Sequence, residues 1–207
     1  MKKADSSSKM TYDPVRPDVN LPQLEEEILD FWDKNQIFEK SMLVDEKSGK
    51  GTKTYSFYDG PPFATGLPHY GHLLAGTLKD IVPRFWTMKG YKVPRRFGWD
   101  CHGLPVEYEI NKVHKIESRK DVLAMGVANY NAACRGIVKR YSEEWKSTVR
   151  RMGRWVDMEN PYFTMDVSFM QSVWWVFKEL YKKGLIYEGY KVVPYSVGIS
   201  TPLSNFE

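Results

Sequence analysis

Residues 54–72 read TYSFYDGPPFATGLPHYGH, and this stretch decides the fold. Its first five residues are rich in aromatic side chains and predict a short buried strand, which the following Gly-Pro-Pro sequence ends abruptly. A Gly- and Pro-rich loop comes next, and residues 71–89 then carry apolar side chains at helical spacing. Residues 91–97 (YKVPRRF) predict a second strand. Strand, loop, helix and strand in this order form the βαβ unit of a parallel sheet.

Helical patterns lie on both sides of this unit. Asn20 is expected to cap a helix that has Pro22 in its first turn. Two long amphipathic helices are predicted at residues 126–152 and 166–183, and a further strand at residues 190–196. The sequence therefore predicts the α/β fold class.

Composition indicates a globular protein without a membrane span. The chain has 207 residues, 14% aromatic residues and a formal net charge of +4, which suits contact with a polyanion but does not require it. No apolar run reaches the length of a bilayer span, and the Lys- and Ser-rich first ten residues are not a secretory signal. The two cysteines, Cys101 and Cys134, form no CxxC pair, so we expect a reducing compartment and no disulfide.

Two histidines mark the first candidate site. His69 and His72 come at the start of the helix predicted after the Gly- and Pro-rich loop, three residues apart and on one side. A helix N-terminus attracts phosphate, and imidazoles there can donate hydrogen bonds to phosphate oxygens. Gly71 would let a flat base lie against the backbone. The competing interpretation is a structural or metal-binding pair, although two histidines without a third ligand make a poor zinc site.

The second candidate site follows the second predicted strand. Residues 98–107 read GWDCHGLPVE and place Asp100 where the carboxyl edge of an open sheet meets its ligand. Asp100 would there pair with a cation, and His102 would form a polar wall. A role of Asp100 in capping the helix after Pro105 is an equally good interpretation. The fourth histidine, His114, is expected to be solvated in a Lys- and Glu-rich helix.

Together these segments resemble class I aminoacyl-tRNA synthetases. His69-Tyr70-Gly71-His72 is similar to the His-Ile-Gly-His signature of that class, with Tyr at its variable position. Within the class, GPPFATGLPHYGH and GWDCHGLPVE resemble the isoleucyl enzymes, and the likeness extends over nearly the whole chain after residue 18. The resemblance implies a Rossmann-like parallel sheet with a helical N-terminal segment. It also implies a disordered tail at residues 1–20, a helical segment at 21–50 and the N-terminal half of the catalytic domain at 51–207.

The resemblance implies specific roles for the candidate residues. His69 and His72 would contact the phosphates of ATP as catalytic residues, and Gly71 would underlie the adenine. Gly60 and Pro61, together with Asp100 and His102, would bind isoleucine, with Asp100 pairing with its ammonium group. The implied reaction is ATP- and Mg²⁺-dependent formation of isoleucyl-adenylate, followed by transfer to tRNA(Ile) through the complete enzyme, in the cytoplasm and without a membrane partner.

Two departures from the family pattern qualify these expectations. Ser196 and Ile199 stand where bacterial-type relatives often carry a Cys-x-x-Cys half of a zinc site, so we expect no metal there. The second family signature, Lys-Met-Ser-Lys-Ser, does not occur, so we expect the isolated chain to be weakly active or inactive. A nucleotidylyltransferase, which also uses an HxGH signature, and a non-catalytic binding module are the alternatives.

Overall fold

The computed structural model describes residues 18–203. The tail predicted at residues 1–20 lies outside the described residues except for its last three positions, which are exposed. The chain divides into two compact units, Met1–Tyr162 and Phe163–Glu207. The domain boundaries predicted from the sequence stay predictions.

The first unit contains six helices and two strands within its described part. In chain order they are α1 (Leu21–Lys34), α2 (Ile37–Ser41), α3 (Tyr70–Met88), β1 (Arg96–Trp99), α4 (Leu104–His114), α5 (Arg119–Met125), α6 (Val127–Arg151) and β2 (Asp157–Phe163). The helices predicted after Asn20, at residues 71–89 and at residues 126–152 are confirmed. The Asn20 side chain accepts a hydrogen bond from the Gln23 backbone N–H at 3.3 Å, which satisfies a donor that the first turn of α1 leaves without an intrahelical partner.

The sheet is parallel but shorter than the sequence predicts. β1 pairs with β2, and isolated parallel bridges join Thr54 to Lys92 and Phe63 to Asp100. The predicted strands at 54–58 and 91–97 are therefore wrong in extent. Pro94 separates the Lys92 bridge from β1, because proline lacks the backbone N–H that a ladder needs. The α/β Rossmann-like class itself is confirmed.

Aromatic side chains fill the space between the sheet and α6. Phe97 and Trp99 on β1 are almost fully buried, with ring centroids 4.8 Å apart. Trp145 of α6 packs its ring edge-on against Trp99 at 5.2 Å. Val93, just before β1, and Val138 of α6 have no exposed surface. This core fixes the carboxyl end of β1, where Asp100 begins the second candidate site.

The second unit contains one helix and a small hairpin. α7 (Val167–Lys182) confirms the helix predicted at 166–183. β3 (Tyr195–Ser196) pairs antiparallel with β4 (Thr201–Pro202). The predicted strand at 190–196 is thus wrong except at its last two residues, because a strand forms only where a partner backbone supplies its hydrogen bonds. None of the helices described between residues 18 and 203 is long and apolar enough to cross a bilayer.

Candidate active site

His69 and His72 form an interlocked pair at the start of α3. His69 is the N-cap residue, and its Nδ1 accepts a hydrogen bond from the Gly71 N–H at 3.1 Å. The Nδ1 of His72 accepts one from the His69 N–H at 3.2 Å, so the two side chains form a reciprocal capping box. Their rings stack with centroids 3.7 Å apart. The local sequence therefore fixes both imidazoles at the positive end of the helix dipole.

The capping hydrogen bonds also determine which ring nitrogen is the donor. Because each Nδ1 accepts a backbone N–H, the proton of each neutral imidazole lies on Nε2. Partial burial lowers the pKa of His72 below 6.5, and the neighbouring His69 and Lys79 lower it further. His72 is consequently neutral at pH 7, and its Nε2–H can donate a hydrogen bond to an anion.

Gly71 lies close to these rings. A Cβ added to Gly71 would lie 3.0 Å from Cε1 of His69, so a larger residue here would push the His69 ring aside by a few tenths of an ångström. His69, Tyr70 and Gly71 are all exposed, so this end of α3 is open to a ligand. The neighbouring cavity, which His72 lines, has a volume of only about 70 Å³. It is too small for a nucleotide, since ligand pockets span roughly 300–1,000 Å³.

Trp145 connects the histidine pair to the sheet. Its ring lies 4.9 Å from that of His72, and its indole N–H donates to the Gly66 carbonyl at 2.7 Å. The same ring packs against Trp99, the residue before Asp100. Trp145 lies on α6, within the amphipathic helix predicted at residues 126–152. Its contacts show that it holds together the loop, the histidine pair and the end of β1.

Asp100 lies at the carboxyl end of β1, half-buried, against the loop that contains Gly60 and Pro61. Its backbone N–H donates to the Pro62 carbonyl at 2.9 Å. Gly103 occupies the N-cap position of α4, so Asp100 is not the N-cap residue itself, and the choice between helix capping and cation binding by its side chain stays a prediction. The structure thus brings Asp100 to the same loop as Gly60 and Pro61, while His102 lies two residues further on and is exposed.

Gly98 allows a further connection to this loop. A Cβ at this position would lie 2.1 Å from Cζ of Tyr162, so only glycine lets the Tyr162 ring lie against β1. From there the Tyr162 hydroxyl donates to the backbone carbonyl of Asp59 at 2.7 Å. This hydrogen bond fixes the residue immediately before Gly60.

Three charged residues beneath the loop, which the sequence motifs did not reveal, complete the surroundings of Gly60. The carboxylate of Asp59 is buried and lies 2.7 Å from Lys79 Nζ and 2.6 Å from Arg154 Nη2. Lys79 and the adjacent Asp80 interrupt the apolar side chains of α3, and this was a signal that could have identified Lys79. His114 is exposed near the C-terminus of α4, as expected.

The cysteines and the potential metal ligands were also the subject of sequence predictions. Neither cysteine forms a disulfide in this structure; Cys101 is buried and Cys134 is half-buried. Burial raises the pKa of the Cys134 thiol. Among residues 18–203 there is no group of three or more His, Cys, Asp or Glu side chains placed to hold a metal ion.

Comparison with known proteins identifies relatives of the whole chain. It is 80% identical over 196 residues to the isoleucine--tRNA ligase of Bdellovibrio bacteriovorus, an alignment that covers 95% of this chain and 18% of that protein. It is 58% identical over 193 residues to the cytoplasmic isoleucine--tRNA ligase of Mus musculus, covering 93% of this chain and 15% of the relative. The chain therefore spans less than a fifth of the length of these curated relatives.

A solved structure confirms the fold. The crystal structure of the Agrobacterium radiobacter K84 agnB2 LeuRS in a ternary complex with tRNA and LeuAMS superposes with a TM-score of 0.54 at 21% identity. The match covers 79% of this chain and 18% of that one. The model of the tRNA synthetases class I family (I, L, M and V) matches residues 27–207. Since this match takes in most of the chain, including both candidate sites, the chain belongs to the class I tRNA synthetase family.

Proposed function

We propose that the complete protein of which this chain is part activates isoleucine with ATP and transfers it to tRNA(Ile). The observation that carries the proposal is the stacked His69–His72 pair at the N-terminus of α3, with both Nδ1 atoms engaged by backbone donors. The choice of amino acid follows the 80% identity to an isoleucine--tRNA ligase. We extend the proposal to a cytoplasmic location, because the Mus musculus relative is named as cytoplasmic.

On this proposal, the histidine pair acts on the phosphates of ATP. An isoleucine carboxylate oxygen attacks the α-phosphorus, and the bond from that phosphorus to the bridging oxygen breaks to release pyrophosphate. Negative charge increases on the phosphate oxygens as this bond breaks. Hydrogen-bond donors that are already held in position stabilise this charge better than donors that must first be ordered. The Nε2–H groups of His69 and His72 are such donors, because the capping box holds both rings before a ligand arrives. Gly71 leaves a flat surface on which the adenine lies.

The amino-acid side of the site is the loop with Gly60 and Pro61. Asp100 pairs with the ammonium group of isoleucine from the carboxyl end of β1, and His102 forms a wall of the same pocket. The backbone hydrogen bond from Asp100 to Pro62 supports this placement, since it keeps the carboxylate-bearing residue beside the loop.

Mg²⁺ enters with the nucleotide on this proposal. The described residues 18–203 offer no cluster of three or more protein ligands. Mg²⁺ keeps several waters and is commonly bound through substrate phosphates with one or two carboxylates. It would neutralise charge on the pyrophosphate that leaves. The roles proposed for His69, His72 and Asp100 do not involve this ion.

Two substitutions in the full-length protein test the proposal. Asp100→Asn keeps the shape of the side chain but removes the charge that faces the ammonium group. Isoleucine binding should weaken about a hundredfold, or about 3 kcal/mol, while ATP affinity changes little. His72→Ala should instead lower the rate of isoleucine-dependent ATP–pyrophosphate exchange, with a smaller effect on isoleucine binding. Asp33→Asn, at an exposed position on α1, is the control.

The outcomes separate the parts of the proposal. If the unsubstituted full-length protein shows no isoleucine-dependent exchange, the function is wrong. If exchange occurs but Asp100→Asn binds isoleucine normally, the function stands and the ammonium site is wrong.

A further inference from the structure

A buried carboxylate with two cationic partners lies directly beneath the proposed amino-acid loop. The Asp59 side chain has no exposed surface, whereas those of Lys79 and Arg154 are 31% and 9% exposed. We call these three residues the Asp59 clamp. A buried carboxylate requires a cation, but a single well-placed guanidinium is enough to neutralise it. The second cation, Lys79, therefore calls for an explanation beyond charge balance.

Lys79 makes a directed contact that charge neutralisation does not require. Its Nζ donates to the backbone carbonyl of Gly60 at 2.7 Å. Within residues 18–203, Oδ1 of Asp59 accepts no hydrogen bond of regular geometry, so Lys79 meets that oxygen as an ion pair at 2.7 Å. Lys79 thus holds this part of the chain in two ways. Its Nζ donates to the main-chain carbonyl of Gly60, and its charge attracts the carboxylate of Asp59, the preceding residue.

The clamp joins three separate parts of the first unit. Asp59 precedes the loop, Lys79 lies two turns beyond His72 on α3, and Arg154 follows α6. Arg154 also contacts α3, because a Cβ added to Gly76 of that helix would lie 3.9 Å from the Cδ and Nη1 atoms of Arg154. Arg154 and His72 also line the same cavity of about 70 Å³.

The position of the loop relative to α3 consequently depends on Lys79. Arg154 alone would keep Asp59 neutralised, but the Gly60 carbonyl would lose the donor that ties it to the helix bearing the histidine pair. The positive charge of Lys79 also contributes to the lowered pKa of His72, which places the two groups within electrostatic reach.

We propose that Lys79 is a positioning residue for amino-acid activation, which fixes the Gly60 carbonyl to α3 and so aligns the amino-acid pocket with the nucleotide end of that helix. This inference rests on the proposed function. Lys79 does not touch a reacting atom in this scheme. It acts through the loop, so its loss should affect amino-acid binding and alignment more than nucleotide binding.

The test compares Lys79→Met with Lys79→Arg in the full-length protein. Methionine retains the length and apolar stem of the side chain but donates no hydrogen bond. Because a hydrogen bond from a charged group typically contributes a factor of about ten or more, and this one holds the loop that binds isoleucine, we expect Lys79→Met to lower kcat/KM for isoleucine at least about tenfold. Most of this change should be a higher KM for isoleucine, with the KM for ATP within about twofold of the unsubstituted protein. Arginine, which retains the charge and donors, should restore most of the loss. Lys139→Met, at an exposed position on α6, is the matched control.

Each result supports or overturns the inference. A Lys79→Met variant that melts at a lower temperature but has an unchanged KM for isoleucine shows a purely structural lysine and overturns it. The same conclusion follows if arginine and methionine are equally defective. Absence of isoleucine-dependent exchange in the unsubstituted protein would instead overturn the proposed function. Should Lys79→Met fail to fold, Lys79→Gln replaces it. Glutamine is shorter and uncharged but retains a donor, so the KM for isoleucine should rise less than expected for methionine and more than for Lys79→Arg, and an unchanged KM overturns the inference.

Discussion

The two units of the chain differ most in how they bury their apolar side chains. The first unit encloses a continuous aromatic and aliphatic core around β1 and α6, in which Phe97, Trp99, Val93 and Val138 are at most 1% exposed. In the second unit, Met165 is the one buried residue among positions 163–203, and α7 has none. On α7, Trp174 and Trp175 are 69% and 63% exposed.

This difference shows that a strong helical pattern and a stable core are separate properties. α3 and α7 both carry the apolar periodicity of core helices, yet neither buries that stripe in this structure. Stability follows the apolar area removed from water, at about 25 cal/mol per Å². The first unit therefore contains most of the stabilising burial, and the second should open locally at a lower free energy.

The largest effect should come from truncating one tryptophan in each unit. Trp99→Ala removes a side chain that is 1% exposed and should lower the free energy of unfolding by about 3–5 kcal/mol. Trp175→Ala removes one that is 63% exposed and should change it by less than about 0.5 kcal/mol. Urea unfolding of both variants measures the difference. Equal losses would mean that Trp175 is buried in solution and that the two units do not differ as described.

Amide hydrogen exchange should show the same contrast without any substitution. The amides around Trp145 in α6 lie in the buried core, whereas those of α7 have little packing above them. We expect protection in the middle of α7 to be at least about tenfold lower, equivalent to about 1.4 kcal/mol. Equal protection in the two helices would contradict a weaker second unit.

The smallest effect concerns pH. The folded protein lowers the pKa of His72 below 6.5, mainly by burial, so the unfolded chain binds more protons as the pH falls through 6.5. Stability of the first unit should therefore decrease from pH 7.5 to pH 6, and His72→Gln should reduce this dependence. Residues 163–207 contain no histidine, so the second unit should lack this contribution. Exchange rates of α6 and α7, corrected for intrinsic exchange, measure both. A pH dependence that His72→Gln leaves unchanged would assign it to other groups.

Local sequence alone determined the long helices and the start of α3. The apolar periodicity predicted α6 and α7 because helical spacing is a property of neighbouring residues. The change from a Gly- and Pro-rich loop to helical spacing likewise predicted His69 and His72 at a helix N-terminus, and the capping box that the structure adds closes within four residues. The family resemblance added the class of site, which no local rule supplies.

Only the tertiary structure decided the extent of the strands and the supports of the site. Strand length depends on partners far along the chain. In place of the strand predicted at 54–58, the structure has one isolated bridge between Thr54 and Lys92. The Asp59 clamp joins residues up to 95 positions apart, and Trp145 meets the Gly66 carbonyl across 79 positions. Such contacts produce no periodic pattern in the sequence, because the folded backbone determines which charged groups and hydrogen-bonding groups come within reach of each other.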